Sequence, residues 1–333
     1  DDRDTIDMKP PRSFPGKLTK FLYERYTYFK GDNDRGMIIL PLELIDNNGD
    51  ELRNAIIKYI KLWNLEEEFL DWIYKSCVFC NTLVDRIITG YPESYEENMW
   101  KDLGYKDELL VTGEPFGLWA IEDKYNVSKE LPLDMADQPV IFTDDLSPYK
   151  LRKVRILNGA HTAFALASYL SDNNYVLESM EDKDVLAFVT RTIYDEIIPS
   201  LDLPKDSLIS FADTVVDRFK NPYNKHSLLS ISLNGVSKWK VRILPSILGY
   251  IDYKGNLPLA LTFSMSALID FYRGLTEQEH GAYVNKRHEE EYLVLDDNSV
   301  LEFFKNNSHM EDEALVKLFL SKEEFWDRDL NKL

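Results

Sequence analysis

Three residues with the chemistry of a reaction site lie close together in one stretch, KVRILNGAHTAFALASYL, which begins at Lys153: Lys153 itself, Asn158 and His161. Apolar residues recur around them at helical spacing. Ser147 suits an N-cap and Pro148 the first helical position, where its missing N–H is no loss. At about 100° per residue, Val154, Leu157, Phe164 and Ala165 share a face, with Lys153, Asn158 and His161 on it or at its margins. Arg152 and Arg155 are expected to project the other way, into water. A buried ammonium, amide or imidazole left without partners costs several kcal/mol as an order of magnitude. A satisfied polar network is one reading of the three, a site the other. Their number, with Gly159 opening the helix surface between them, favours a site.

The charge pattern points the same way. The 333-residue chain carries a formal net charge of −19, which opposes nucleic acid or an anionic membrane as partner. Yet 218–242 holds six Lys or Arg and no acid, and 148–170 holds four and no acid. Two basic islands in an acidic protein suggest a small anionic ligand, with Lys225, His226 and Lys238 as candidate contacts. Lys240 reads better as a solvated residue, and His280, His288 and His309 lie in polar, surface-like stretches. Cys77 and Cys80 form a lone C-x-x-C with no second pair and no nearby histidine. They are read as structural thiols in a reducing compartment, and no metal site is expected. No G-x-S-x-G elbow supports serine chemistry.

The elements that must position these residues fall into two parts. A helix is expected over 17–29, a strand in MIILPLEL from Met37, a helix in DELRNAIIKYIKLW, and strands in ELLVTGEPFGLWAIE and PVIFTDD. After Ser147 strands are expected to stop. Helices are expected over 148–170, 183–198, 205–220, 225–237, 239–251, 258–273, 297–306 and 311–319. The fold class is therefore α/β followed by mainly α, with domains at 1–146 and 147–333. No apolar stretch approaches the ~18 residues of a membrane span. The N-terminus is polar and acidic, unlike a secretory signal, so a cytoplasmic location is expected. The chain does not begin with Met and has no G-x-G-x-x-G turn, so it is expected to be the later part of a longer protein.

With these residues in view, the sequence resembles the polyol-specific long-chain dehydrogenase/reductase, or mannitol dehydrogenase, family. The family pattern K-x4-N-x2-H is met by Lys153, Asn158 and His161, and N-x-x-V-D-R-I by Asn81, Val84, Asp85, Arg86 and Ile87. Similar stretches, among them FPGKLTKFLYERY, LPLELIDNNGDEL and NPYNKHSLLSISLNGVSKWKVRILP, run through nearly the whole chain. The resemblance implies the rear of a Rossmann-type domain, its N-terminal nucleotide-binding part absent, joined to a helical C-terminal domain. It implies NAD as cofactor and Lys153 as proton donor. Asn81 and Asn158 would be oxyanion donors, and His161 would orient the lysine or hold a hydroxyl. Lys238 would be a substrate contact, and Asp85 and Arg86 a structural ion pair or cap.

Two departures matter. Lys150 stands where mannitol-type members carry an acid, and Ser230 where they carry an arginine. Both favour a substrate with its own carboxylate. Within the family, the resemblance then implies reduction of a ketouronate to an aldonate, D-tagaturonate to D-altronate, in hexuronate catabolism. Fructuronate reduction and mannitol-type polyol oxidation are the alternatives within the family. A non-catalytic binding domain is the alternative of another class; the retained Lys153, Asn158, His161 and Asn81 argue against it. Oligomeric state and NAD-against-NADP preference are not legible.

Overall fold

A computed structural model describes residues 2–92, 96–136 and 138–333. The chain forms two compact units, one of residues 1–86 and 115–150, the other of 87–114 and 151–333.

In the first unit, helix Phe14–Tyr28 is capped by the Ser13 hydroxyl, which accepts from Gly16 N–H. Helix Asn48–Leu62 buries Leu52, Ile56, Tyr59 and Ile60, the i, i+4, i+7, i+8 stripe of an amphipathic helix. With helix Glu67–Ser76 these enclose a core of Leu22, Ile56, Phe69, Trp72, Ile73 and Phe79. Backbones approach closely here. A Cβ on Gly36 would lie 1.6 Å from the Ser76 carbonyl oxygen, and one on Gly49 would lie 2.4 Å from that of Cys80.

Strands are shorter than the sequence suggests. MIILPLEL yields only Ile38–Ile39, paired in parallel with Val78–Phe79. Pro41, which has no N–H to give, cuts the ladder short. Leu118–Glu122 forms the middle of a three-stranded sheet, antiparallel to Thr82–Asp85 and parallel to Val140–Thr143. The expected single strand ELLVTGEPFGLWAIE is thus divided: Pro115 and its flanking glycines separate Leu118–Glu122 from Thr112–Gly113, and the latter belongs to the second unit.

The second unit is mainly helical around one large core. Helices Gly159–Leu170 and Leu259–Tyr272 pack together; the first is apolar nearly all round and buried, while the second keeps Leu259, Thr262, Phe263, Ser266 and Asp270 exposed on its outer face. Strands do not stop at Ser147, however. Thr276–Glu277, Tyr283–Arg287 and Glu290–Leu293 form an antiparallel sheet. Its turns use left-handed backbone at Gly281 and His288. A second hairpin pairs Ile88–Gly90 with Thr112–Gly113. The helix expected over 225–237 begins only at Leu228, as Leu228–Ser232. It is interrupted at Asn234, whose left-handed backbone (φ 53°) starts the separate helix Gly235–Arg242. Among the described residues no helix is long and apolar enough to cross a membrane.

Candidate active site

The helix bearing Lys153, Asn158 and His161 is not a uniform α-helix. It is α-helical over Ser147–Arg152, π-helical over Lys153–Asn158 and α-helical again over Gly159–Leu170. An i→i+5 turn holds more residues than an α turn, so each advances by less than 100°. Lys153 and Asn158, five apart, are thereby brought nearer one face than α geometry allows. The same change of phase corrects the placement of the two arginines. Arg155 does not face water: it is buried, and its Nε donates to Ser246 Oγ at 2.7 Å. Desolvation pushes its pKa down to about 10. Arg152 is half-buried, its guanidinium 4.9 Å from the centre of the Phe211 ring.

Lys153 and Asn158 are half-buried and His161 is buried. The imidazole of His161 lies against Phe219, ring centres 4.2 Å apart, and meets His226 edge to face at 5.1 Å. His161 Nε2 and His226 Nδ1 are both buried without a hydrogen-bond partner among the described residues, as is Asn224 Nδ2. Such orphaned polar atoms are uncommon in a folded interior and call for a ligand or water. Burial depresses the His161 pKa well below its usual value, reinforced by His226, Arg242, Arg218 and Lys238; burial and Lys238 lower that of His226. Both rings are neutral at neutral pH.

Helix Gly235–Arg242 supplies the cations. Lys238 Nζ donates to the Ile231 carbonyl at 3.0 Å, and its pKa is lowered to about 8 by burial and then by Arg242. Arg242 Nη1 donates to Thr162 Oγ1 at 3.2 Å, and Thr162 Oγ1 to the Asn158 carbonyl at 2.9 Å. Arg242 thus reaches the turn that carries Asn158 and His161. Arg242 ends the basic stretch 218–242, and its place four residues after Lys238 is the signal in the sequence for its part here. Arg218, also near His161, is neutralised by a buried ion pair with Glu114, with bonds of 2.8–3.1 Å. The remaining candidates are not buried. Lys225 is exposed, Lys240 pairs with Asp327 at 2.7 Å, and His280, His288 and His309 are exposed.

Asn81 belongs to the first unit and has local work there. Its Oδ1 accepts from Gly49 N–H and Asp50 N–H, capping helix Asn48–Leu62. Its Nδ2 donates to Asp50 Oδ2 and Glu122 Oε2, both at 2.9 Å. As folded here the amide has no donor left for an oxyanion. Arg86 donates to the carbonyls of Phe116 and Pro115. Cys77 and Cys80 are buried free thiols whose pKa values burial raises. Among the described residues no group of three or more His, Cys, Asp or Glu could hold a metal ion.

Comparison with known proteins places the chain in a family. Residues 145–333 match the mannitol dehydrogenase C-terminal domain and residues 12–135 the mannitol dehydrogenase Rossmann domain. The chain belongs to the mannitol dehydrogenase family. Altronate oxidoreductases of Enterobacter sp. (strain 638) and Escherichia coli O139:H28 are 44% identical to it over 99% of the chain, which spans 67% of their length. The fold matches a mannitol 2-dehydrogenase of Pseudomonas fluorescens, solved with NAD and D-mannitol, with a TM-score of 0.69. That match is at 25% identity and covers 95% of this chain and 60% of that one. A D-sorbitol dehydrogenase solved without substrate shares the fold at a TM-score of 0.71 and 21% identity. A Rossmann-type domain followed by a helical C-terminal domain is therefore the architecture of this member of the mannitol dehydrogenase family.

Proposed function

We propose that the protein is an NAD-dependent oxidoreductase that interconverts a ketouronate and an aldonate, D-tagaturonate and D-altronate. The single observation that carries this reading is the interior of the helical unit. It holds two neutral imidazoles with orphaned nitrogens and two cations, Lys238 and Arg242, that no carboxylate pairs among the described residues. Neutral rings suit sugar hydroxyls, and unpaired cations suit an anionic end group. The altronate name of the relatives agrees with that chemistry.

Ketone reduction needs a proton for the developing alkoxide and donors to hold it. Lys153 supplies the proton to the carbonyl oxygen and removes it in the oxidising direction. Asn158, at the other end of the π turn, polarises that oxygen as a neutral donor, which does not compete for the proton. His161 and His226 hold hydroxyls and fix the sugar. NADH, when bound, supplies the hydride. The 333 residues contain no G-x-G-x-x-G turn, and none of them is assigned to the pyrophosphate.

The test is a substrate panel with the full-length protein and NADH: D-tagaturonate, D-fructuronate, D-tagatose and D-fructose. The expected order of kcat/KM has tagaturonate first and the neutral ketoses last. A neutral ketose turned over best would replace this reading with a polyol dehydrogenase, and fructuronate best with the other uronate reductase.

A further inference from the structure

The reading above leaves open which group holds the carboxylate, and three observations converge on one residue. Arg242 is half-buried with a single neutral partner, Thr162, so its remaining N–H donors meet no carboxylate among the described residues. Lys238 and Arg242 stand four apart on one helix, a like-charge spacing that costs helix stability. The nearby acids are committed elsewhere. Asp296 accepts from Tyr272 O–H at 2.5 Å and from Val236 N–H at 3.1 Å, and Glu114 is bound to Arg218. Two close cations with no ion pair among the described residues, and with the neighbouring Asp296 held by other donors, are a site built for an incoming anion.

We propose that Arg242 is the carboxylate anchor and specificity-determining residue, receiving the sugar acid through two N–H donors while Lys238 has a supporting part. This rests on the sugar-acid reading of the site. A guanidinium matches a carboxylate fork to fork, whereas an ammonium offers a point charge. Lys238 already donates to Ile231, and with a pKa near 8 it is partly neutral in mildly alkaline solution. Arg242 keeps its charge there. Its bond to Thr162, which in turn bonds the Asn158 carbonyl, fixes the guanidinium against the turn of the reacting groups. The anchored end of the sugar is thereby set at a fixed distance from the reacting end.

The experiment compares Arg242→Gln, Arg242→Lys and Lys238→Gln with the parent full-length protein on D-tagaturonate and D-tagatose. For Arg242→Gln the loss in kcat/KM on tagaturonate should exceed that on tagatose by about 100-fold, expressed mainly in KM. Arg242→Lys should recover part of it, and Lys238→Gln should show a smaller differential. Equal losses on both substrates, or a larger differential for Lys238→Gln, would overturn the proposal. Calorimetric binding of D-altronate and its neutral counterpart D-altritol, to parent and Arg242→Gln, separates this inference from the functional reading. If the parent reduces no ketouronate, that reading fails by itself. An altronate preference abolished by Arg242→Gln then upholds the anchor, and no such preference removes it. Should Arg242→Gln fail to fold, Arg242→Lys decides: its altronate affinity must fall at least tenfold while altritol binding falls less.

Discussion

Replacing Glu114 by Gln removes the anion that, among the described residues, pairs with Arg218 inside the helical unit. The two side chains are almost fully buried, 1% and 4% exposed, and joined by three N–H···O contacts of 2.8–3.1 Å. Glu114 Oε1 also accepts from Ile87 N–H at 2.6 Å, so one carboxylate both pairs the arginine and fastens the start of segment 87–114. Breaking a buried pair by removing one partner costs about 3–5 kcal/mol, because the other charge remains desolvated. At 2–4 °C per kcal/mol for a unit of this size, thermal unfolding by circular dichroism should shift down by roughly 6–20 °C. Replacing both residues, as Glu114→Met with Arg218→Met, should recover most of that loss, since a pair swapped for apolar groups of similar volume is often neutral. A shift below about 2 °C for the single variant would refute this reasoning, because that is the scale of an exposed ion pair.

Other outcomes follow from single contacts. Asn81→Ala should lower the stability of the first unit by about 2 kcal/mol, measured by urea unfolding, since it removes a helix cap and two bonds to carboxylates; unchanged stability with lost turnover would instead restore the oxyanion role. Gly36→Ala should cost roughly 1–3 kcal/mol or more by overpacking against the Ser76 carbonyl, seen as a lower urea midpoint. A histidine with a depressed folded pKa binds fewer protons folded than unfolded, so its contribution is present above about pH 6.5 and lost as pH falls below it. Tm should therefore drop between pH 6.5 and 5, and His161→Phe, which fits between Phe164 and Phe219, should flatten that slope. Identical slopes in the two proteins would mean that folding does not lower the His161 pKa.

The helices were legible because their apolar period is strong: 205–220 in the sequence became Lys205–Phe219, and 311–319 became Asp312–Leu320. The π turn was not, since nothing in KVRILN departs from an α pattern, and the resulting change of phase buried Arg155 against expectation. The Glu114–Arg218 pair joins residues 104 apart, a separation that periodicity does not bridge. The hairpin turned at His288 uses a left-handed histidine where no glycine announces it. Motif spacing picked out His161, and the basic stretch 218–242 picked out His226 and Lys238; the fold gathers the three in one unit. It could not show that Arg242 shares their interior, because a K-x3-R on a helix reads equally well as a solvated face.

The most direct test is the crystal structure of the full-length protein with D-altronate bound. The account predicts the carboxylate on the Arg242 guanidinium, the hydroxyl to be oxidised within about 3.2 Å of Lys153 Nζ, and sugar hydroxyls on His161 Nε2 and His226 Nδ1. Altronate bound away from His161 and His226, or seated with its carboxylate toward Lys153, would contradict it.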